Sequence, residues 1–308
     1  MGVELTRNGQ VEIAYETFGR PGGAPLLLIM GLDFQMVWWP DGFCQALAER
    51  GFQVARFDNC DTGLSTHFVS PPRQRRSTAP DRGSSRPPYT SVDMVDDGLA
   101  VMSALGWPSA HLLGGSMGSA LALSTAILHP ERVRTVTAVQ AAPWRQLDTL
   151  RYLRFGVFLR FFRMGQPPTD EGAIQTLVEI VRILSSKNHP FDATWAHQVA
   201  ETSHRRAPRD PGSTRRQLAA GRASSDLARR LGEITAATLV INGADDPLIR
   251  PAAATALAAR IDDARALVYP RMGHTLPEHV WPSLVDAVAD HARSVDPALL
   301  AVDPEART

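Results

Sequence analysis

Residues 114–118 read Gly-Gly-Ser-Met-Gly, and the segments on either side restrict the fold more than any other stretch of this chain. Before them, Ala110-His111-Leu112-Leu113 is short and apolar, as a buried strand is. After them, residues 119–128 read as a helix that stops near Pro130. A strand that turns sharply into a helix lifts the turn residue clear of the sheet edge. Ser116 must then take a strained backbone angle, while Gly114 and Gly118 leave no side chain where strand and helix press together. The helix N-terminus behind Ser116 favours negative charge developing near the hydroxyl. Alone, the five-residue pattern also fits a plain Gly-Ser turn, so its weight comes from its flanks and from the rest of the chain.

Strand and helix signals alternate along the 308 residues. Residues 3–7 and 11–18 read as hairpin strands about Asn8-Gly9. Residues 25–30 are an unbroken apolar run, hence a central strand, followed by a helix over 43–50 closed by Gly51 and a strand over 53–57. Residues 91–105 place Val92, Val95, Leu99, Met102 and Leu105 near one helical face, stopped by Gly106 and Pro108. Further strands fall at 133–139, 237–242 and 266–269, with helices at 252–260 and 279–292. The alternation predicts an α/β fold, a mostly parallel, doubly wound central sheet of about eight strands with helices on both faces. Residues 66–90, rich in Pro, Arg and Ser, read as a long surface loop, and the tail past Pro297 as frayed.

Almost a hundred residues between 139 and 237 lack strand character. They predict a helical cap inserted at 143–233 above the carboxyl edge of the sheet, with 1–142 and 234–308 forming the core. The most apolar part, residues 147–164, reads as one helix with leucines and phenylalanines on two sides and arginines between.

Formal net charge is zero, from 32 basic and 32 acidic residues, which gives nucleic acid nothing to follow. Two cysteines, Cys44 and Cys60, and a polar start without an apolar leader predict a reducing, cytoplasmic setting and no disulfide framework. No apolar run approaches the length of a membrane span. The nine histidines lack metal-ligand spacing, and neither a metal nor an organic cofactor is expected. The oligomeric state stays open, a homodimer included.

A serine is a poor nucleophile near neutral pH without a base and a group that orients the base. After Ser116 the order acid, then histidine, is expected. The acid lies in Asn242-Gly243-Ala244-Asp245-Asp246-Pro247, just past a strand. Asp245 and Asp246 compete, and Asp246, beside the proline, is preferred. The base is His274, on the glycine loop Tyr269-Pro270-Arg271-Met272-Gly273-His274. His111, His129, His279 and His291 read as structural. Two backbone N–H groups must face the developing oxyanion. One belongs to Met117, after the candidate nucleophile. The other is assigned to Leu32, in the turn after the 25–30 strand, with Gly31 allowing the bend and Asp33 read as a helix cap.

These three loops together resemble the α/β-hydrolase superfamily over nearly the whole chain. Two further stretches, Met30-Gly31-Leu32 with Trp38-Trp39-Pro40, and the run from Phe57 to Thr66, look like the branch that contains the aclacinomycin methylesterase, a capped hydrolase of methyl esters on polyketide antibiotics. Cys60 stands where that branch commonly has arginine, which implies a lost surface or interface contact. Likeness to proline iminopeptidases stops at the shared Gly-Gly-Ser-Met-Gly-Ser, because their glycine-rich His-Gly-Gly-Pro opening is missing. The resemblance implies a serine esterase acting on an apolar or ring-bearing small-molecule ester. Lactone opening, carbon–carbon cleavage of a diketone and cofactor-free perhydrolysis use the same three groups. A hydrolase fold kept as a small-molecule receptor is the rival of a different class.

Overall fold

The computed structural model describes residues 2–68, 87–144, 146–164, 169–210 and 212–296. The greater part of the predicted 66–90 loop and the tail past Pro297 lie outside these residues.

An antiparallel pair, β1 (Glu4–Asn8) and β2 (Val11–Phe18), turns at Gly9 and Gln10, one residue later than the expected Asn8-Gly9, because Asn8 still pairs with Val11, and Gly9 takes φ 57°. β3 (Ala24–Ile29), α1 (Asp41–Ala48), β4 (Phe52–Phe57) and α2 (Ser91–Ala104) follow. Next come β5 (Ala110–Gly115), α3 (Met117–Leu128) and β6 (Val133–Val139). Among the described residues, five α-helices then precede the next strand: α4 (Gln146–Tyr152), α5 (Gly156–Arg163), α6 (Asp170–Leu184), α7 (Ala193–Arg206) and α8 (Ser213–Ala223). The chain returns through β7 (Ala237–Gly243), α9 (Ala252–Ala258), β8 (Ala264–Tyr269) and α10 (Trp281–Arg293).

The eight strands lie in the order β1-β2-β4-β3-β5-β6-β7-β8, parallel from β4 to β8. β2 meets β4 antiparallel, as β1 meets β2. Because side chains alternate across a strand, β3 serves two cores. Leu27 and Ile29 pack with Met94, Val101 and Met102 of α2 and Leu121 of α3. Leu26 and Leu28 pack with Phe43 and Leu47 of α1 and Leu284 and Val288 of α10. The chain leaves β3 for β4 on one side and returns to β5 on the other. That reversal opens a crevice at the carboxyl ends of β3 and β5, where open α/β sheets hold ligands.

Several local expectations shift. Val92 is exposed, and Met94 and Val101 take the inner face of α2 instead. Thr90 caps that helix and forms a reciprocal capping box with Asp93. The 147–164 segment is two helices, not one. Leu153 bridges Ile249, and Arg154 N–H donates to Leu248 O at 2.9 Å, so pairing with the β7–α9 loop breaks the helix. The side chains that would define its two faces lie partly outside the described residues. His279 sits in a 3₁₀ turn (Glu278–Val280) before α10, stacked on His189 with ring centroids 3.7 Å apart. Cys60 is 1% exposed and belongs to the core, so no surface contact is at stake there. Among the described residues, no helix is long and apolar enough to cross a membrane.

Candidate active site

Ser116 joins β5 to α3 at φ 54° and ψ −115°, a conformation that β-carbon sterics disfavour. Its own N–H donates to Val139 O at 2.9 Å, which ties the turn to β6. Gly114 and Gly118 make the turn possible. A Cβ on Gly114 would stand 2.2 Å from Gly118 O, and one on Gly118 would stand 2.0 Å from Ile29 O. Strand, helix and neighbouring strand therefore touch backbone to backbone around Ser116.

His274 follows β8 on the loop that starts at Pro270. Its N–H donates to Leu184 O, at the end of α6, at 2.7 Å. On the ring, Nε2 lies 2.9 Å from Ser116 Oγ and Nδ1 lies 2.7 Å from Asp246 Oδ2. Asp246 is fully buried, and its other oxygen accepts from the N–H groups of Leu248 and Ile249 at 2.7 and 2.8 Å. Those bonds hold the carboxylate so that one oxygen stays directed at the imidazole. Asp245 points elsewhere, accepting from Ser186 Oγ at 2.5 Å. Of the two adjacent acids, Asp246 is the one that meets the histidine.

Leu32 lies in the turn after β3, Met117 is the first residue of α3, and Gly31 lies against Ser116. A Cβ on Gly31 would come within 3.3 Å of Ser116 Cβ. The bend itself belongs to Asp33, at φ 63°, whereas Gly31 stays outside the left-handed region. Asp33 is not a helix cap. The 3₁₀ turn after it (Met36–Trp38) is capped at Gln35. The Asp33 carboxylate instead accepts from Ser213 and Thr214 hydroxyls and the Arg209 guanidinium.

Asp33 is one of three buried acids by which the strand ends grip the helical segment between β6 and β7. Asp58 accepts from Arg206 Nη2 at 3.0 Å and from Met36 N–H at 2.7 Å. Asp61 accepts from Arg216 Nε and Nη2 at 2.7 and 2.9 Å and from Tyr89 Oη at 2.6 Å. The bond to Asp61 leads in holding the Arg216 proton above the usual arginine range, while burial, then the bond to Asp61, pushes the Tyr89 phenol up. Asp61, His67 and Asp210 bring three ligand-type atoms within 4.8 Å of one another. Arg216 donates to both of those carboxylates, so a guanidinium already supplies the positive charge a cation would bring. Trp38 adds an apolar anchor, packing edge-on against Trp195 of α7 at 5.9 Å and beside Leu177 and Val181 of α6. A separate cleft of about 170 Å³ lies behind the His274 loop, walled by Phe191, Trp195, Leu276 and Trp281.

Sequence reasoning missed this set of anchors. The acids were visible as a cluster after a strand, but nothing marked which distant arginines they would meet.

A match to the alpha/beta hydrolase fold family spans residues 24–278. This chain belongs to that family. Among similar proteins, rhodomycin D methylesterase DnrP of Streptomyces peucetius is 29% identical, over 96% of this chain and 99% of the relative. DauP, the methylesterase of the same name from another Streptomyces, is 28% identical over the same shares. Of solved structures, a meta-cleavage product hydrolase from Pseudomonas fluorescens superposes with a TM-score of 0.69 at 20% identity, covering 95% of this chain and 98% of that one. Epoxide hydrolase A from Mycobacterium thermoresistibile gives 0.71 at 17% identity, covering 96% and 99%. At these identities the superpositions speak for the α/β hydrolase fold and no further.

Proposed function

We propose that this α/β hydrolase is a serine esterase that cleaves a carboxylic ester of an apolar, ring-bearing small molecule through an acyl-enzyme. The observation that carries the reading is the single imidazole shared by Ser116 and Asp246, at 2.9 and 2.7 Å. The near full-length likeness to two enzymes named as methylesterases supports an ester as the substrate.

In this reading Ser116 Oγ attacks the ester carbonyl carbon while His274 Nε2 takes its proton. Asp246 keeps Nδ1 protonated and stabilises the imidazolium. The carbonyl oxygen becomes an oxyanion facing the N–H groups of Leu32 and Met117 at the N-terminus of α3. When the tetrahedral intermediate collapses, the carbon–oxygen bond breaks and His274 returns the proton to the leaving alcohol. Water then attacks the acyl-serine, giving its proton to His274. The second collapse frees the acid and restores Ser116. Residues 143–233 act as a cap over this crevice, and the Asp33, Asp58 and Asp61 pairs are what holds the cap down.

A panel of aryl esters, methyl esters of aromatic acids, lactones and vinylogous diketones tests the assignment. Esters should be the best substrates, and Ser116→Ala should lower kcat on the order of 10⁴- to 10⁶-fold. A clear preference for lactones or diketones would move the chemistry to another bond. Ligand retention without turnover of any of them would favour a receptor.

A further inference from the structure

We propose that Gln217 of α8 and Asp33 are positioning residues that set the direction of the Leu32 N–H. This rests on the reading above, in which that N–H faces the oxyanion. The turn after β3 is strained at Asp33, and the sheet alone gives it little support. Phe34 N–H closes it onto Gly31 O at a long 3.4 Å. Asn59, just past β4, donates to Met30 O at 3.0 Å at the start of the turn. The contacts at Asp33 come from α8 and the residues just before it. Gln217 Oε1 accepts the Asp33 N–H at 2.8 Å. Its Nε2 donates to Cys60 O at 3.0 Å. These two bonds fix which way the amide faces, because one neighbour offers a proton and the other needs one. Gln217 is 1% exposed and Asp33 8%, so both bonds lie away from bulk solvent.

The Asp33 carboxylate is gripped at the same time by Ser213, Thr214 and Arg209. A left-handed aspartate carries backbone strain. Without partners on both its N–H and its carboxylate, Asp33 relaxes toward an ordinary angle. The Leu32–Asp33 peptide then rotates, and through Leu32 it turns the Gly31–Leu32 peptide that carries the Leu32 N–H. An oxyanion donor works only when it is aimed before the charge develops. Hence α8 governs the transition state through one side-chain amide.

Gln217→Met keeps the length and apolar volume and loses both bonds. Gln217→Glu keeps an acceptor for the Asp33 N–H. With p-nitrophenyl butyrate as substrate, Gln217→Met should lower kcat about 10- to 100-fold with KM within about twofold, below the full loss of an oxyanion donor. Its affinity for phenylboronic acid, which forms a tetrahedral adduct on a serine, should fall by the same factor. Gln217→Glu should restore most of both. A residue that matters only for folding would lower the active fraction and leave boronate affinity per active site unchanged. Boronate affinity and kcat within twofold of the parent in Gln217→Met, or a Gln217→Glu as slow as Gln217→Met, would overturn the proposal. If Gln217→Met does not fold, Ser213→Ala with Thr214→Val removes two of the carboxylate's donors, and the same paired loss of kcat and boronate affinity is expected or the proposal fails. A parent enzyme whose Ser116 takes no fluorophosphonate would sink the esterase reading instead, so the two failures are distinct.

Discussion

Arg216 and Asp61 stand 155 positions apart in the chain, yet the guanidinium meets the carboxylate in a two-pronged bond of 2.7 and 2.9 Å. Both side chains are buried, Arg216 to 7% exposure and Asp61 to none. Removing one member of such a pair strands a charge away from water, which costs more than the pair itself contributes. Arg216→Met should therefore destabilise the fold by about 3–5 kcal/mol, read as a lower urea midpoint. The double variant Arg216→Met with Asp61→Asn should recover a good part of that loss. Additive losses in the double variant would show that the two side chains do not depend on each other.

Gly98 offers the opposite case. It lies in the interior of α2, outside the left-handed region, and a Cβ there would meet Leu27 Cδ2 at 3.5 Å and Phe57 Cζ at 3.6 Å, ordinary contact distances. Gly98→Ala should raise stability by about 0.5–1 kcal/mol, since glycine is costly inside a helix. Gly114→Ala has no such room and should fail to fold or lose activity. A Gly98→Ala protein with an unchanged or lower urea midpoint would contradict the packing described for α2.

His111 enters β5 fully enclosed, with Nδ1 2.9 Å from Thr135 Oγ1. Burial, and then the nearby Arg134, lowers its pKa to about 4. The unfolded chain binds that proton near pH 6.5 and the folded one does not. Stability from this group is thus complete above pH 6.5 and lost as pH falls through 6.5 toward 4. Urea midpoints should drop across that window, and His111→Gln should flatten the drop. An equally steep drop in His111→Gln would place the acid sensitivity elsewhere.

Asp97 works against that trend. It is 2% exposed, and burial raises its pKa to about 6 although Asn8 Nδ2 donates to it at 2.9 Å. Here the folded chain holds the proton longer than the unfolded one, so stability falls as pH rises from about 4 to 6. Asp97→Asn keeps an acceptor for Asn8 and removes the charge. It should stabilise the protein at pH 7 and above, by on the order of 1–3 kcal/mol, and hardly at all at pH 4. A gain that is the same at pH 4 and pH 8 would show that ionisation of Asp97 is not its source.

The fold was legible in the chain because its signals are local. Strand, glycine turn and helix follow one another around Ser116, and the apolar run of β3 is continuous, as a strand buried on both faces must be. The loops after β7 and β8 stood out for the same reason. What was not legible depends on distance in the chain. Asp33 reads as a cap until Arg209 and Ser213 arrive from 176 and 180 positions away. The 147–164 segment reads as one helix because nothing local predicts the Leu153–Ile249 bridge that interrupts it. The arginine common at the position of Cys60 in the resembling branch implies a surface or interface contact, whereas Cys60 is 1% exposed in the core, next to Asp61 at φ 68°.

The central claim is that Ser116 is a nucleophile driven by His274. The direct measurement is to treat the purified protein with a fluorophosphonate and locate the adduct by peptide mass mapping. One adduct per chain on Ser116 is expected, absent in Ser116→Ala and formed at least a hundredfold more slowly in His274→Ala. An adduct on another residue, or labelling of Ser116 at the same rate without His274, would contradict the account.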